Sequence, residues 1–582
     1  MAKVIRVNMT DLTVTVEPVP EQYAALGGRA LTSRVVYDEV PANCHPLGPF
    51  NKIVIAPGVL AGTAAPSSGR VSVGGKSPLT GGIKESNAGT PVAQKLGRLQ
   101  VKMIVVEGQA AAGAYLLKLD KDGAALLPAD DLKGKLTREI NKDLFARYGK
   151  KAGIMTTGVA GDFKMGMAGI CFNDTEGRAS RYSGRGGLGA VLGSKGLKAM
   201  VVDDEGAPGV EIKDKELFKQ GQKKVVDAIR SHPVTKPGGA LNTYGTAVLV
   251  NILNEAGGYP TRNFSAGQFE AASQTGGEAI LEAVKERHGG MTGHGCHPGC
   301  IIRCSNVYPN PDGSEFTSCI EYESTWALGA NCEIANLDII AKLVDQCNEI
   351  GLDTIEAGVT IGVAMDAGVI PFGDGEGAVR LMEEIRQGTP LGRILGNGAW
   401  FTGKAYGLTR VPVVKRQGMP AYEPRAVKGI GVTYITSTMG ADHTAGYTIA
   451  PEILAVGGKA DPLSPIGKVE LSRAFQAATA YIDATGYCLF IAFPVLDIPS
   501  GMEGMVETVN SVLGTTWTTH DVGTLGLETL KLEWQFNKNA GFSKEDDRPP
   551  EYMRYEKLPP HNQVFDITDE ELDMIWAAFE EK

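Results

Sequence analysis

The sequence predicts an α+β protein: a β-rich N-terminal domain over residues 1–205, followed by two mainly helical domains over 206–410 and 411–582. Three observations predict it. A chain of 582 residues is longer than a single core packs. Short alternating or apolar runs fill the front third, separated by Gly, Pro and Ser clusters. Beyond the acidic stretch Asp203–Val210 the apolar spacing changes to three and four residues, the helical period.

In order, strands are predicted at Lys3–Val7, Thr13–Val16, Lys52–Ala56, Arg70–Val73, Lys102–Glu107, Tyr115–Leu119 and Ala152–Thr157. Helices at Pro20–Asp38 and Pro91–Leu96 interrupt them. Later helices are predicted at Glu216–Ser231, Glu278–His288, Leu337–Ile350, Ala378–Gln387, Val469–Ala484 and Glu570–Glu581. The Pro-rich stretch Arg410–Pro424, with few periodic residues, reads as a second joint, and no internal repeat is legible.

Composition narrows the function. Hydrophobic residues at 43% and charged residues at 21% exclude a disordered chain. A net charge of −10 with no basic block argues against nucleic acid as a partner. No apolar run reaches membrane-spanning length, and the N-terminus has no apolar signal core. Nine cysteines, an odd number, predict a reducing cytoplasm with free thiols or metal ligands. The 75 glycines lack a collagen period and imply many tight turns or close approaches of the backbone.

The sharpest motif is Gly293-His-Gly-Cys296-His-Pro-Gly-Cys300-Ile-Ile-Arg-Cys304. Pro298 and Gly299 oppose a continuous helix, so the three thiols suit a loop around an inorganic centre. An iron–sulfur cluster completed by a distant thiol fits this pattern; zinc, with His294 and His297 available, is the competitor. Cys488, in the Gly-marked turn Asp483-Ala-Thr-Gly486-Tyr-Cys488, is the most isolated candidate for the fourth ligand. Two Gly/Arg segments suit phosphate groups through exposed amides, Arg forks and a Lys. The first spans Pro66–Gly89 and contains Arg70, Lys76, Asn87 and Gly89; the second spans Asn173–Ala190 and contains Arg178, Ala179, Arg181 and Arg185. Neither matches a Walker A loop, and Gly184-x-Gly186-x-x-Gly189 alone is weak evidence for a dinucleotide.

Taken in order, Arg70 with Lys76-Ser-Pro-Leu-Thr-Gly, Asn87-x-Gly89, Gly184-Arg-Gly-Gly-Leu-Gly, Pro260-Thr-Arg-Asn-Phe264, the cysteine triplet, Glu321-Tyr-Glu323, Gly351-Leu-Asp353, Gly440-Ala-Asp-His443 and Asp483-x-x-Gly-x-Cys488 resemble the tungsten-containing aldehyde:ferredoxin oxidoreductase family over nearly the whole chain. Within it, the chain most resembles the catalytic subunit of a multi-subunit bacterial aldehyde oxidoreductase. The resemblance implies that the three domains enclose a bis-pyranopterin tungsten site in which tungsten takes no protein thiolate. A [4Fe–4S] cluster on Cys296, Cys300, Cys304 and Cys488 would lie beside one pterin. A magnesium ion would take the Asn87 side chain and the Ala179 carbonyl. Arg70, Gly89 and Arg178 would touch the cofactor. The paired pterin loops would be Asn348-Glu-Ile-Gly-Leu352-Asp353 and Asp483-Ala-Thr-Gly-Tyr487-Cys488. The triplet's first spacing is one residue longer than in many members, and Asn348 stands where a carboxylate is usual.

The implied reaction oxidises aldehydes to carboxylic acids. His443 is the active-site histidine of the resemblance, Glu321 the favoured base and Glu323 close behind it. A strand would point both glutamates to one face; a helix would not. Without a second cysteine cluster or a flavin fingerprint, electrons need an outside acceptor, either a ferredoxin or an iron–sulfur subunit, with an FAD- or NAD-binding subunit beyond it. The alternatives are an aryl-CoA reductase of the benzoyl-CoA type within the same family, a non-catalytic iron–sulfur relay, and a zinc-stabilised nucleotide-binding enzyme.

Overall fold

The computed structural model describes residues 2–580. Its N-terminal region contains β1 (Lys3–Asn8), β2 (Thr13–Pro18), β3 (Ile53–Pro57), β4 (Arg70–Lys76), β5 (Ile83–Gly89), β6 (Val101–Glu107), β7 (Tyr115–Asp120), β8 (Gly123–Pro128), β9 (Gly153–Thr156), β10 (Ile170–Asn173), β11 (Ala179–Ser183) and β12 (Leu197–Val202). The seven predicted strands are all present. Five more, β5, β8, β10, β11 and β12, are short or lack clean alternation.

The two sheets repeat one topology. The first runs β2-β1-β6-β3-β4-β5 and the second β8-β7-β12-β9-β10-β11. In each, one pair is parallel, β1 with β6 and β7 with β12, and the others are antiparallel. Helices repeat as well: Gly28–Glu39 and Thr137–Tyr148 follow the second strand of each unit, while Pro91–Arg98 and Leu188–Lys195 follow the fifth. The repeat that the residues do not reveal is therefore plain in the chain path. Burial requires only that apolar positions alternate, so two copies keep a path without keeping residue identities.

Strands buried on both faces position these layers. Ile55, Val73 and Ile104 of the first sheet meet Leu117, Phe172 and Met200 of the second, around Leu96, Val191 and Leu192 of the inner helices. The opposite faces pack under the outer helices, with Val54, Ala56 and Val105 against Leu31 and Val35, and Ile154 and Val201 against Ile140 and Leu144. Each of the larger of these side chains contributes about 1.5–3 kcal/mol of burial. The repeat places β5 and β11, the equivalent edge strands, against each other, and so brings the two Gly/Arg segments together.

The predicted helix Pro20–Asp38 is broken. A single turn, Glu21–Tyr23, precedes the helix Gly28–Glu39, because Gly28 has a φ of +45° and its Cβ position lies 2.1 Å from the Asp483 carbonyl oxygen. Beyond residue 214 the structure is mainly helical, with a small sheet of β13 (Met291–His294), β14 (Ser305–Pro309) and β15 (Glu315–Ser318). One core gathers Phe218, Trp326, Tyr422, Ile482 and Phe565; another gathers Ile320, Leu343, Ile361 and Leu395. The stretch expected as a second joint, Arg410–Pro424, is not a surface linker: Gln417–Glu423 is buried, its backbone satisfied by Glu356 and Glu323. The predicted C-terminal helix is two short pieces, Asp569–Asp573 and Ala577–Glu580; Glu581, its last predicted residue, lies outside the described residues.

Candidate metallocofactor site

A cavity of about 530 Å³ opens between the paired edge strands and the helical cores. β13 and β14 flank the cysteine loop, which carries no helix or strand from Gly295 to Cys304. Cys488 arrives from the other side, at the end of the helix Lys468–Thr485, after the left-handed turn at Gly486. Ser67 ties the two segments together. Its N–H donates to the Gly299 carbonyl (2.9 Å), and its carbonyl accepts from the Cys488 N–H (2.8 Å). Its Oγ accepts from the Ile301 N–H at 3.2 Å. Cys296, Cys300, Cys304 and Cys488 all line the cavity, and every cysteine is unpaired.

Burial and mutual contact set their protonation. The Cys296 thiol bonds toward Cys300, which raises Cys296 and lowers Cys300. Burial raises Cys304 and Cys488, so these thiols ionise only against added positive charge. Arg70 Nη1 lies 3.9 Å from Cys488 Sγ. The Cβ position of Gly89 lies 2.6 Å from Cys296 Sγ, so no larger residue fits there. The histidines offered for zinc each stand in a cluster of donors whose ligand atoms lie within 4.8 Å of one another, His297 with Cys296 and Cys300 and His294 with Asp174 and Glu176. His294 sits between Glu176 and Arg181, and His297 Nδ1 lies 2.9 Å from the Pro298 carbonyl while its ring packs on Gly69.

Cations form one wall. Arg70, Arg181 and Arg185 line the cavity with Asn87, Gly89, Asn348, Leu352, Asp353 and Asp483. Arg70 Nε donates to Asn87 Oδ1, Asn87 Nδ2 reaches Asp483 Oδ1 (3.3 Å), and Arg181 donates to Ser305 Oγ (2.7 Å) while its Nε lacks a partner. Arg185 joins three segments, donating to Asp353 Oδ2 (3.1 Å) and to the carbonyls of Ala441 (2.5 Å) and Gly418 (2.6 Å). An unpartnered buried guanidinium N–H on an arginine-lined wall fits a large anionic group. Two residues without a predicted role join this wall: Arg29, announced by Gly27-Gly28, and Glu85, whose buried Oε1 is unpartnered.

Four predicted cofactor residues stand elsewhere. The Lys76 ammonium turns to the carbonyls of Ala42 and Cys44. The Tyr487 hydroxyl bonds Thr508 Oγ1 (3.0 Å) inside the helical core. Arg178 forks onto Glu315 (2.6 and 2.9 Å) and reaches Asp174 (3.0 Å). With Ala179 it lines a second cavity of about 270 Å³, which shares Ser180 and Asn348 with the first. Asn87 and Ala179, the expected magnesium partners, thus line different cavities, and Asn87 Oδ1 is taken by Arg70.

The acid–base candidates separate sharply. Glu321 caps the helix Tyr322–Ala327, and both its oxygens are bound, by Ser305 Oγ (2.7 Å) and Thr246 Oγ1 (2.8 Å). Glu323, two residues on, accepts from the Ala421 N–H (3.0 Å) and leaves Oε1 unpartnered, 3.5 Å from His443 Nε2. Burial pushes Glu323 up to about 8 and His443 down to about 4, so between those values both are neutral and form no ion pair. His443 Nδ1 is unpartnered and buried. Burial also lifts Asp442, but Lys84 (3.1 Å) and Arg185 more than reverse this, leaving it well below the usual range. Asp442 is occupied by Lys84 and Thr444.

A thiol loop and an arginine wall around a cavity with a buried acid–base pair define a metallocofactor oxidoreductase. Residues 4–204 match the family model for the N-terminal domain of aldehyde ferredoxin oxidoreductase, and residues 220–579 match that for its domains 2 and 3. The chain belongs to this tungsten-containing oxidoreductase family. It is 37% identical over 575 residues to the tungsten-containing aldehyde ferredoxin oxidoreductase of Thermococcus kodakarensis, covering 95% of this chain and 91% of the relative. It is 36% identical over 575 residues to the protein of that name from Pyrococcus furiosus, with the same coverage. In structure it is similar to the active-site complex BamBC of benzoyl coenzyme A reductase bound to 1,5-dienoyl-CoA, with a TM-score of 0.81 at 18% identity, over 99% of this chain and 94% of that one. No helix among the described residues is long and apolar enough to cross a membrane.

Proposed function

We propose that this chain oxidises aldehydes to carboxylic acids at a tungsten–pterin site, passing electrons through one [4Fe–4S] cluster on Cys296, Cys300, Cys304 and Cys488. Aldehyde plus water gives acid, two protons and two electrons. The electrons go one at a time to a ferredoxin or to a partner iron–sulfur subunit, with an FAD- or NAD-binding subunit beyond it. When bound, the tungsten–pterin group supplies the two-electron sink. Arg70, Arg181 and Arg185 would hold its anionic groups, and Ser67 fixes the distance between the cysteine loop and Cys488. Neutral His443, with Nδ1 free, takes a proton from the attacking water. The protonated Glu323 carboxyl donates a hydrogen bond to the carbonyl oxygen, where charge develops. Glu321, bound at both oxygens, positions the helix that presents Glu323.

The observation that carries this reading is the convergence of four thiols and the His443–Glu323 pair on one arginine-walled cavity. The test is metal analysis of anaerobically purified protein together with an aldehyde assay using a viologen acceptor. Tungsten, about four irons per chain and acid formation support it. Iron without tungsten, or both metals without turnover, would overturn it.

A further inference from the structure

Asp483 and Cys488 face the cofactor cavity, whereas Ala484 and Thr485, between them, line another chamber of about 530 Å³. The Asp483–Cys488 loop is therefore a partition shared by two cavities. The outer chamber is cut between the helices Gly28–Glu39, Lys468–Thr485 and Asp521–Asn539. Its edge also holds the partition in place. The Ala484 carbonyl accepts from the Val59 N–H (3.3 Å) and the Thr485 carbonyl from the Leu60 N–H (2.9 Å), and Val59 itself lines the chamber.

Leu26, Trp517, Leu525 and Leu532 form apolar walls. The charged lining residues, Arg34, Glu528 and Lys531, are half-buried or exposed and stand at the mouth; Arg34 is paired with Asp38 (2.9 Å). The buried lining residues carry no charge. One of them has an unsatisfied polar atom: Tyr481, only 4% exposed, has a hydroxyl without a hydrogen-bond partner. A buried hydroxyl left alone costs about 1–3 kcal/mol. Phenylalanine would serve the packing without that cost, so the hydroxyl points to a molecule that brings its own acceptor.

We infer that this chamber is a second ligand site, for a small neutral ring compound bearing a carbonyl oxygen, and that its occupancy braces the Asp483–Cys488 loop from behind. The ring body lies among Trp517 and the leucines, and the Tyr481 hydroxyl donates to the carbonyl. A carboxylate at the same depth loses its water and meets no cation. The volume falls in the range of small-molecule pockets, about 300–1,000 Å³. A ligand seated against Ala484 and Thr485 binds the ordered loop and not an opened one, so it lowers the population of the opened form.

The test is titration calorimetry on anaerobically purified holoenzyme with three probes: α-tetralone, tetralin as the same rings without oxygen, and naphthoate as an anion of like size. The expected result is α-tetralone binding tighter than about 1 mM, with tetralin and naphthoate each about tenfold weaker. Tyr481→Phe removes only an unbonded hydroxyl and keeps the ring, so the fold stands. It should bind tetralin as before and α-tetralone no better than tetralin. Tyr481 does not line the cofactor cavity, so binding there would not respond to this change. α-Tetralone should also slow the loss of iron to a chelator, roughly tenfold at ten times its Kd. That arm rests on the cluster assignment above; the calorimetry does not. Equal binding of α-tetralone and tetralin, or an affinity unmoved by Tyr481→Phe, overturns the site. Self-association of the chain that excludes α-tetralone assigns the groove to a second copy and overturns it as well. Binding with unchanged iron loss overturns the bracing alone, and binding by protein that holds no iron overturns the cluster reading while the site stands.

Discussion

Burial moves Glu323 and His443 in opposite directions, to about 8 and about 4. The carboxyl therefore keeps its proton and the imidazole stays bare across the neutral range. If the neutral pair is the working form, turnover falls as pH drops through the His443 value, because the imidazole is then protonated. It falls again as pH rises through the Glu323 value, because the carboxyl can no longer donate. The kcat/KM profile of the holoenzyme should be bell-shaped with limbs displaced outward from the ordinary values, both belonging to the coupled pair. Glu323→Gln should remove the alkaline limb and keep the acid one; an alkaline limb that persists assigns it to another group. His443→Ala should lower kcat about 10²- to 10⁴-fold while tungsten and iron contents stay at wild-type levels. Loss of metal along with activity would make His443 a structural residue.

At the level of elements, the cysteine loop is shaped by a neighbour it does not touch in sequence. Gly89 ends β5, and the space where its Cβ would stand holds Cys296 Sγ at 2.6 Å. Gly89→Ala must displace that thiol, and iron per chain should fall by half or more, read by iron analysis on a protein whose circular dichroism is unchanged. Full iron content in the variant would show that the loop yields freely. The loop itself was legible in the sequence, since Pro298 and Gly299 between close thiols oppose a helix. So was Cys488, marked by Gly486. Its link to the loop through Ser67 was not, because backbone hydrogen bonds leave no residue signature. The order of Glu321 and Glu323 was illegible for a related reason. A two-residue spacing distinguishes faces only once strand or helix is known, and Glu321 lies at the cap itself. An Arg or Lys in a Gly-rich segment looks the same in sequence whether it faces a phosphate or, as Arg178 and Lys76 do in this structure, Glu315 and the carbonyls of Ala42 and Cys44.

Across the whole molecule, the double-sheet region must stay seated on the helical cores for the cavity to exist, and one buried cluster fastens them. Arg29, on the outer helix of the first sheet, forks onto Glu533 with Nε at 2.9 Å and Nη2 at 2.8 Å. Its Nη1 reaches Asp483 at 3.3 Å. The Glu533 carboxylate, fully buried, also accepts from Ser33 Oγ (2.8 Å) and Thr438 Oγ1 (2.5 Å). Sequence positions 29, 438, 483 and 533 thus meet at one point. Desolvation opposes such a pair nearly as strongly as attraction favours it, so its net contribution is small, but removing one partner strands a buried charge. Arg29→Met should destabilise the protein by about 3–5 kcal/mol, read from the guanidinium midpoint followed by tryptophan fluorescence. Arg29→Met with Glu533→Leu should recover part of that loss, since the Glu533 charge is then gone while Asp483 still lacks its Arg29 partner. Because Arg29 also lines the cavity, the single variant should release tungsten more readily on dilution than the wild type does. A double variant no more stable than the single one would mean that packing between the helices Gly28–Glu39 and Asp521–Asn539, not the stranded charge, sets the cost.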